Sequence, residues 1–212
     1  MIISFWVLLA ALYIAFVLWY YNWSGPIKAH EIEDLINTVR ETQGSLHTSI
    51  DVLVEFMKND DGKEFVMQNL IRVKKGEIDN PVTGEKTHAA ALLQKYSGPF
   101  MKALFFRGGH PVSISRKVGG YIDSWGKYPD NDYADEGWHI ASMMRYRSRR
   151  DLIELVTDPK FDNIHIYKTT AIEKTISFPV QIQMSFFMRP GAYVPLGLLF
   201  VGMLIQLVAL SI

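Results

Sequence analysis

The sequence predicts an α+β domain carried between two single membrane-spanning helices. Three observations lead there. Both ends are long apolar runs, and every Lys, Arg, Asp and Glu lies between Lys28 and Arg189. Between the ends, apolar residues recur at helical spacing in some segments and at period two in others. The order of those segments is strand, helix, strand, strand, helix, strand.

The first apolar run, Ile2 to Trp23, has no ionisable acid or base. As a helix it extends roughly 33 Å, enough to cross a bilayer core. Trp19, Tyr20, Tyr21 and Trp23 gather at its end, as amphipathic rings do at headgroup level. A cleaved secretory signal fits poorly, since a basic leader is missing and the apolar stretch is too long. The second run, Tyr193 to Ile212, follows Arg189 and Pro190. Its strongly polar side chain, Gln206, either faces another helix or, the preferred reading, meets water near the far interface. Gly197 and Gly202 are five apart, which misses the spacing of tightly packed helix pairs. Lys28, Arg40, Lys174 and Arg189 flank the runs on the domain side only. The positive-inside rule therefore favours a cytoplasmic domain with both termini across the membrane.

The expected organisation is a transmembrane helix over 1–24, lead-in helices over 25–62, the α+β domain over 63–188 and a second transmembrane helix over 189–212. In the lead-in, Ile32, Leu35, Ile36, Val39 and Leu46 follow one helical face, with Glu31, Glu33 and Asp34 favouring the N-terminal dipole. A second helix is expected from Thr48, with Asp51 completing a capping box and Ile50, Leu53, Val54 and Met57 inside. The run from Asn59 to Gly62 stops it.

The domain opens with a strand from Glu64 to Lys74. A loop through Asp79, Asn80, Pro81 and Gly84 leads to a helix over Glu85 to Phe106, which Gly98 and Pro99 should kink. Gly108 and Gly109 end it. A strand over Pro111 to Val118 and a polar loop over Lys127 to Gly137 follow, then a strand over Trp138 to Tyr146. Ser148 caps a helix through Val156, which Asp158 and Pro159 stop. Thr175 to Met188 supplies the last strand or an interfacial segment. This order is the ferredoxin-like β-α-β-β-α-β plan, whose sheet keeps one face uncovered; pairing of two copies would bury it.

The segments FMKNDDGKEFVMQNLIRVK (56–74), Gly108-Gly109 before a strand, and RYRSRRDLIELVTDPKF (145–161) resemble the DUF1330-like branch of the dimeric α+β-barrel superfamily. The matching features are Asn69 and Leu70 in the first strand and Tyr146, Arg147, Ser148 and Arg149 between the third strand and second helix. That branch has proline where Arg147 stands. The resemblance spans roughly residues 53–180, and the flanking apolar helices lie outside its usual pattern. It implies a dimer and a barrel cavity, towards which Asn69, Arg145 and Tyr146 could point. Cofactor-free oxygenases and haem-binding proteins occur among its wider relatives, which makes His110 and His139 candidate cofactor contacts and adds His139 to Asn69, Arg145 and Tyr146 as candidate catalytic groups.

The residues themselves carry little chemistry. Equal numbers of acids and bases, 22 each, exclude the one-sided charge of a nucleic-acid binder. The absence of cysteine excludes disulfides, thiol catalysis and thiolate metal sites. His30, His47, His88, His110, His139 and His165 form no metal-ligand spacing, so no metal is expected and no cofactor is assigned. The glycine pairs lack phosphate-loop spacing, and a nucleophile elbow is missing. Arg145, Arg147, Arg149 and Arg150 are the densest charge cluster. Cations at a helix start need an anion: Asp151 and Glu154 are internal candidates, a lipid headgroup or anionic ligand an external one for Arg147, Arg149 and Arg150. The expectation is a non-catalytic, oligomerising or accessory membrane subunit, in contact with the bilayer and at least dimeric. The alternative is a membrane-tethered barrel enzyme acting on a small apolar substrate.

Overall fold

The computed structural model describes residues 2–42, 49–123, 125, 137–184 and 190–211. Leu46, His47, Thr48, Arg189 and most of the polar loop over 127–137 lie outside them.

Apolar residues on every side make α1 (Ile2–Tyr20). Two lead-in helices follow, α2 (Ala29–Glu41) and α3 (Ile50–Lys58). The cap of α3 is Ser49, whose Oγ accepts the Val52 N–H, and not Thr48. Ile27, Ile36, Leu53 and Met57 bury together against Ile153, so these helices pack on the domain.

Strand β1 (Phe65–Val73) lies at the centre of the sheet. A hairpin of β2 (Glu77–Asp79) and β3 (Lys86–His88) then occupies the expected loop and the first residues of the expected helix. Asn80 closes that hairpin by accepting the Val82 N–H and Gly84 N–H. Helix α4 (Ala89–Phe106) runs through Pro99. Strands β4 (His110–Arg116) and β5 (Ile140–Tyr146) precede α5 (Arg149–Val156), which Ser148 caps as expected. A single 3-10 turn leads to α6 (Asp162–Ala171), a helix the sequence reading lacks. Strand β6 (Ile172–Val180) is shorter and earlier than expected, and α7 (Pro190–Ser211) closes the chain.

The protein is thus α+β, with a four-stranded antiparallel sheet in the order β4-β5-β1-β6. Register assigns the faces. Phe65, Met67, Asn69 and Ile71 oppose Tyr146, Met144, Ser142 and Ile140 on β5. Phe65 and Tyr146 bury with Leu104, Leu152, Leu155 and Phe161, while Val73 buries with Leu92 and Ala171. All helices of the domain therefore cover this one face. The intervening residues share the other: Leu70 with Ala141 and Ile176, Gln68 with Met143 and Phe178.

Among the described residues, Pro190–Leu210 is long and apolar enough to cross a membrane; the N-terminal apolar helix, Phe5–Tyr20, is shorter. The two helices pack against each other. Gln206 is exposed near the end of α7, and its Oε1 accepts the Trp6 indole N–H from α1 at 3.1 Å. Gly202 is the close-approach point: a Cβ there would lie 2.5 Å from the Trp6 ring and 3.0 Å from Leu9. Gly197 faces open space. At the other end of α7, Gly191 sits against the Tyr21 hydroxyl. Trp6 near Gln206 and Tyr21 near Gly191 make the pair antiparallel.

Candidate functional site: the joint between the first helix and the sheet

Arg145, near the end of β5, and Arg147, just after it, join the sheet to α1. A helix leaves its last carbonyls without internal donors, and its C-terminus is the negative end of its dipole. The carbonyls of Trp19 and Tyr20 at the end of α1 face the domain. Arg145, on the uncovered side of β5, donates from Nη2 to the Tyr20 carbonyl at 3.0 Å and from Nη1 to the Gly108 carbonyl. Its Nε and Nη2 each reach Glu64 at 2.7 Å, and its guanidinium lies 3.7 Å from the Tyr20 ring centre. Arg147 donates to the Trp19 carbonyl at 3.2 Å and forks onto Asp151 at 3.0 and 2.6 Å. Asp151 raises the Arg147 pKa further by that hydrogen bond.

Backbone permissiveness lets the parts meet. Gly108 has φ +72°, and a Cβ there would stand 2.6 Å from the Trp19 carbonyl oxygen. The Trp19 indole N–H donates to the Phe105 carbonyl at 3.1 Å, and the two rings lie 4.9 Å apart. His110 stacks on Tyr20, with one ring nitrogen 3.3 Å from the Tyr20 hydroxyl and the other 2.9 Å from the Pro111 carbonyl.

The remaining arginines tie in the lead-in helices. Arg149 reaches Asp60 at 3.4 Å and donates to the Phe56 carbonyl. Arg150 reaches Glu31 at 3.0 Å. Glu31 also accepts the Lys28 N–H, and this bond, then Arg150, holds its carboxyl below the ordinary range. Asp151 at the start of α5 bonds Ser148 and Arg147, so the anions that face the two cations of the first helical turn, Arg149 and Arg150, are Asp60 and Glu31 from outside the helix. Each of Arg147, Arg149 and Arg150 thus has a protein partner.

The candidate catalytic groups do not converge. Asn69 lies on the helix-covered face, donating to the Met67 carbonyl and accepting the Ser177 hydroxyl at 2.7 Å. Tyr146 is buried there against Phe65, and burial pushes its pKa up. Arg145 points to the opposite face. His139 lies beyond the far end of β5, its Nδ1 accepting the Val73 N–H at 3.2 Å. His110 pairs with Arg145 in the register, so it stands about 20 Å from His139 along the strand. The two histidines therefore do not meet at one site. Among the described residues no three His, Asp or Glu side chains gather to hold a metal ion.

Sequence reasoning singled out the arginines but missed Trp19, Tyr20, Glu64 and Gly108 as their partners. A signal was present: aromatic residues ending an apolar helix, and a glycine pair ahead of a strand.

No protein-family profile matches the sequence, and no curated protein does. Among solved structures, the fold is similar to the crystal structure of RPA0582, a protein of unknown function from Rhodopseudomonas palustris. The TM-score is 0.51 at 18% identity, covering 68% of this chain and 100% of that one. The crystal structure of methylated RPA0582 aligns with a TM-score of 0.48 at 20% identity, covering 66% and 96%. The first likeness shows a shared fold.

Proposed function

We propose that this chain is a membrane-anchored, non-catalytic subunit that oligomerises through the uncovered face of its sheet. The observation that carries this reading is the composition of that face. Ile176 and Phe178 are exposed side by side with Leu70, Ala141 and Met143, while all the domain's helices lie on the opposite side. A sheet with one apolar face left bare is completed by a second layer, and a second copy supplies one.

The strand order supports a ferredoxin-like domain of the dimeric α+β-barrel type, the DUF1330-like resemblance noted in the sequence. In this proposal α1 and α7 both span the bilayer as a hairpin, with the domain on the cytoplasmic side and both termini across the membrane. The antiparallel packing of Trp6 on Gly202 and Gln206 supports the hairpin. The polar groups that a barrel enzyme would use are instead engaged in structural contacts on different faces.

The test is the mass of the detergent-solubilised protein by native mass spectrometry. The parent chain is expected as a dimer or larger, and Phe178→Glu as a monomer that keeps its circular dichroism. A monomeric parent at micromolar concentration would sink the proposal.

A further inference from the structure

We propose that the C-terminal end of α4, at Phe105 and Phe106, lies in the bilayer interface and fixes how the domain sits on the membrane. This rests on the reading of α1 as a membrane-spanning helix. Its partner is lipid: the headgroup and upper acyl region of the leaflet from which α1 emerges.

Position along α1 decides the matter. The helix covers Ile2–Tyr20, about 28 Å of rise against a hydrocarbon core of about 30 Å, so Trp19 reaches the domain-side interface. Phe105 touches Trp19 by ring and by hydrogen bond. It therefore stands at the depth where tryptophan sits in membranes. Phe105 and Phe106 are nonetheless 55% and 67% exposed, leaving roughly 200 Å² of ring surface without a protein neighbour. Tyr21 and Trp23 continue the same belt, at 42% and 67% exposed. Lys102, exposed and one turn earlier on α4, can lay its stem along the rings and carry its ammonium to the phosphates. Arg107 beside them is held by Asp158 at 3.5 Å, which keeps the turn itself in place.

The two exposed rings thus meet the apolar part of the interface while the joint at Arg145 stays sealed within the protein. The end of α4 thus adds a contact to those made through α1 and α7, which limits how far the domain can tilt on the membrane.

The absence of cysteine makes the test direct. Single variants F106C, V82C and L8C, each carrying an environment-sensitive fluorophore, are reconstituted in phosphatidylcholine vesicles containing phosphatidylglycerol. Val82 is exposed in the β2–β3 turn beyond the far end of β1, and Leu8 is exposed at mid-helix in α1. The probe at 106 should lose fluorescence to lipids spin-labelled high on the acyl chain and resist aqueous iodide. The probe at 82 should show the reverse, and the probe at 8 should respond to labels deep in the chain. If 106 behaves like 82, or is shielded from both quenchers by another protein, the proposal is wrong. If 8 also escapes the deep label, the membrane reading itself has failed, and the two failures are distinct.

Discussion

Replacing Arg145 with methionine removes the centre of the joint while keeping most of its volume. The guanidinium has 4% of its side chain exposed and serves Glu64, two backbone carbonyls and the Tyr20 ring at once. Removing one member of a buried ion pair costs about 3–5 kcal/mol, because the partner is left charged and uncompensated. Glu64 is 29% exposed and can partly rehydrate, which moves the expectation to about 3 kcal/mol. For a chain of this length that is roughly a 6–12 °C fall in melting temperature. Tryptophan emission reports it in detergent or vesicles, since Trp19 sits in the joint. Arg145→Lys, which keeps the charge but loses the fork, should fall in between. The double variant R145M/E64Q should recover part of the loss, because the stranded carboxylate is gone. An R145M protein that melts within about 1 °C of the parent would refute the assignment of Arg145 as the clamp on α1.

Gly108→Ala combines positive φ with a Cβ against the Trp19 carbonyl, so it should cost about 1–3 kcal/mol, whereas Gly84→Ala, equally positive in φ but in open space, should cost less; chemical denaturation compares them. Gln206→Leu should weaken the α1–α7 pair by about 1 kcal/mol through loss of the Trp6 bond, and Gly202→Leu by more through steric separation; proximity labelling between the helices reads both. Glu31 gives a pH dependence. Its folded pKa lies below its unfolded value of about 4.5, so its contribution is present above that value and is lost as pH falls through the folded pKa. Glu31→Gln should melt below the parent at neutral pH, with the gap closing on acidification below about pH 4.

The sequence showed the parts of this fold that depend on local pattern. Strand β1 and helix α5 appear within a residue of their expected limits because alternation and the Ser148 cap are local signals. Helix α6 escaped because its apolar residues do not gather on one face, and its packing comes from α4 rather than from its own periodicity. The β2–β3 hairpin escaped because three-residue strands carry too little pattern, and Asn80 closes the turn by side-chain bonds to nearby amides. The identity of Gln206's partner was hidden because Trp6 lies at the opposite end of the chain. The same reason hid the joint: Arg145 and Tyr20 are brought together only by the complete sheet and the docked helix.

On the proposed function, two copies anchored in one bilayer and paired through their sheets would be related by a twofold axis along the membrane normal, with their joints at the same height. That relation can be read directly in unpurified membranes. Phe178→Cys supplies one thiol on the uncovered face of a chain that has none, and Val82→Cys supplies one away from it. With a short thiol cross-linker, F178C should give a dimer band on denaturing electrophoresis, and V82C should remain monomeric. Equal cross-linking of the two, or none at position 178, would contradict pairing through the sheet.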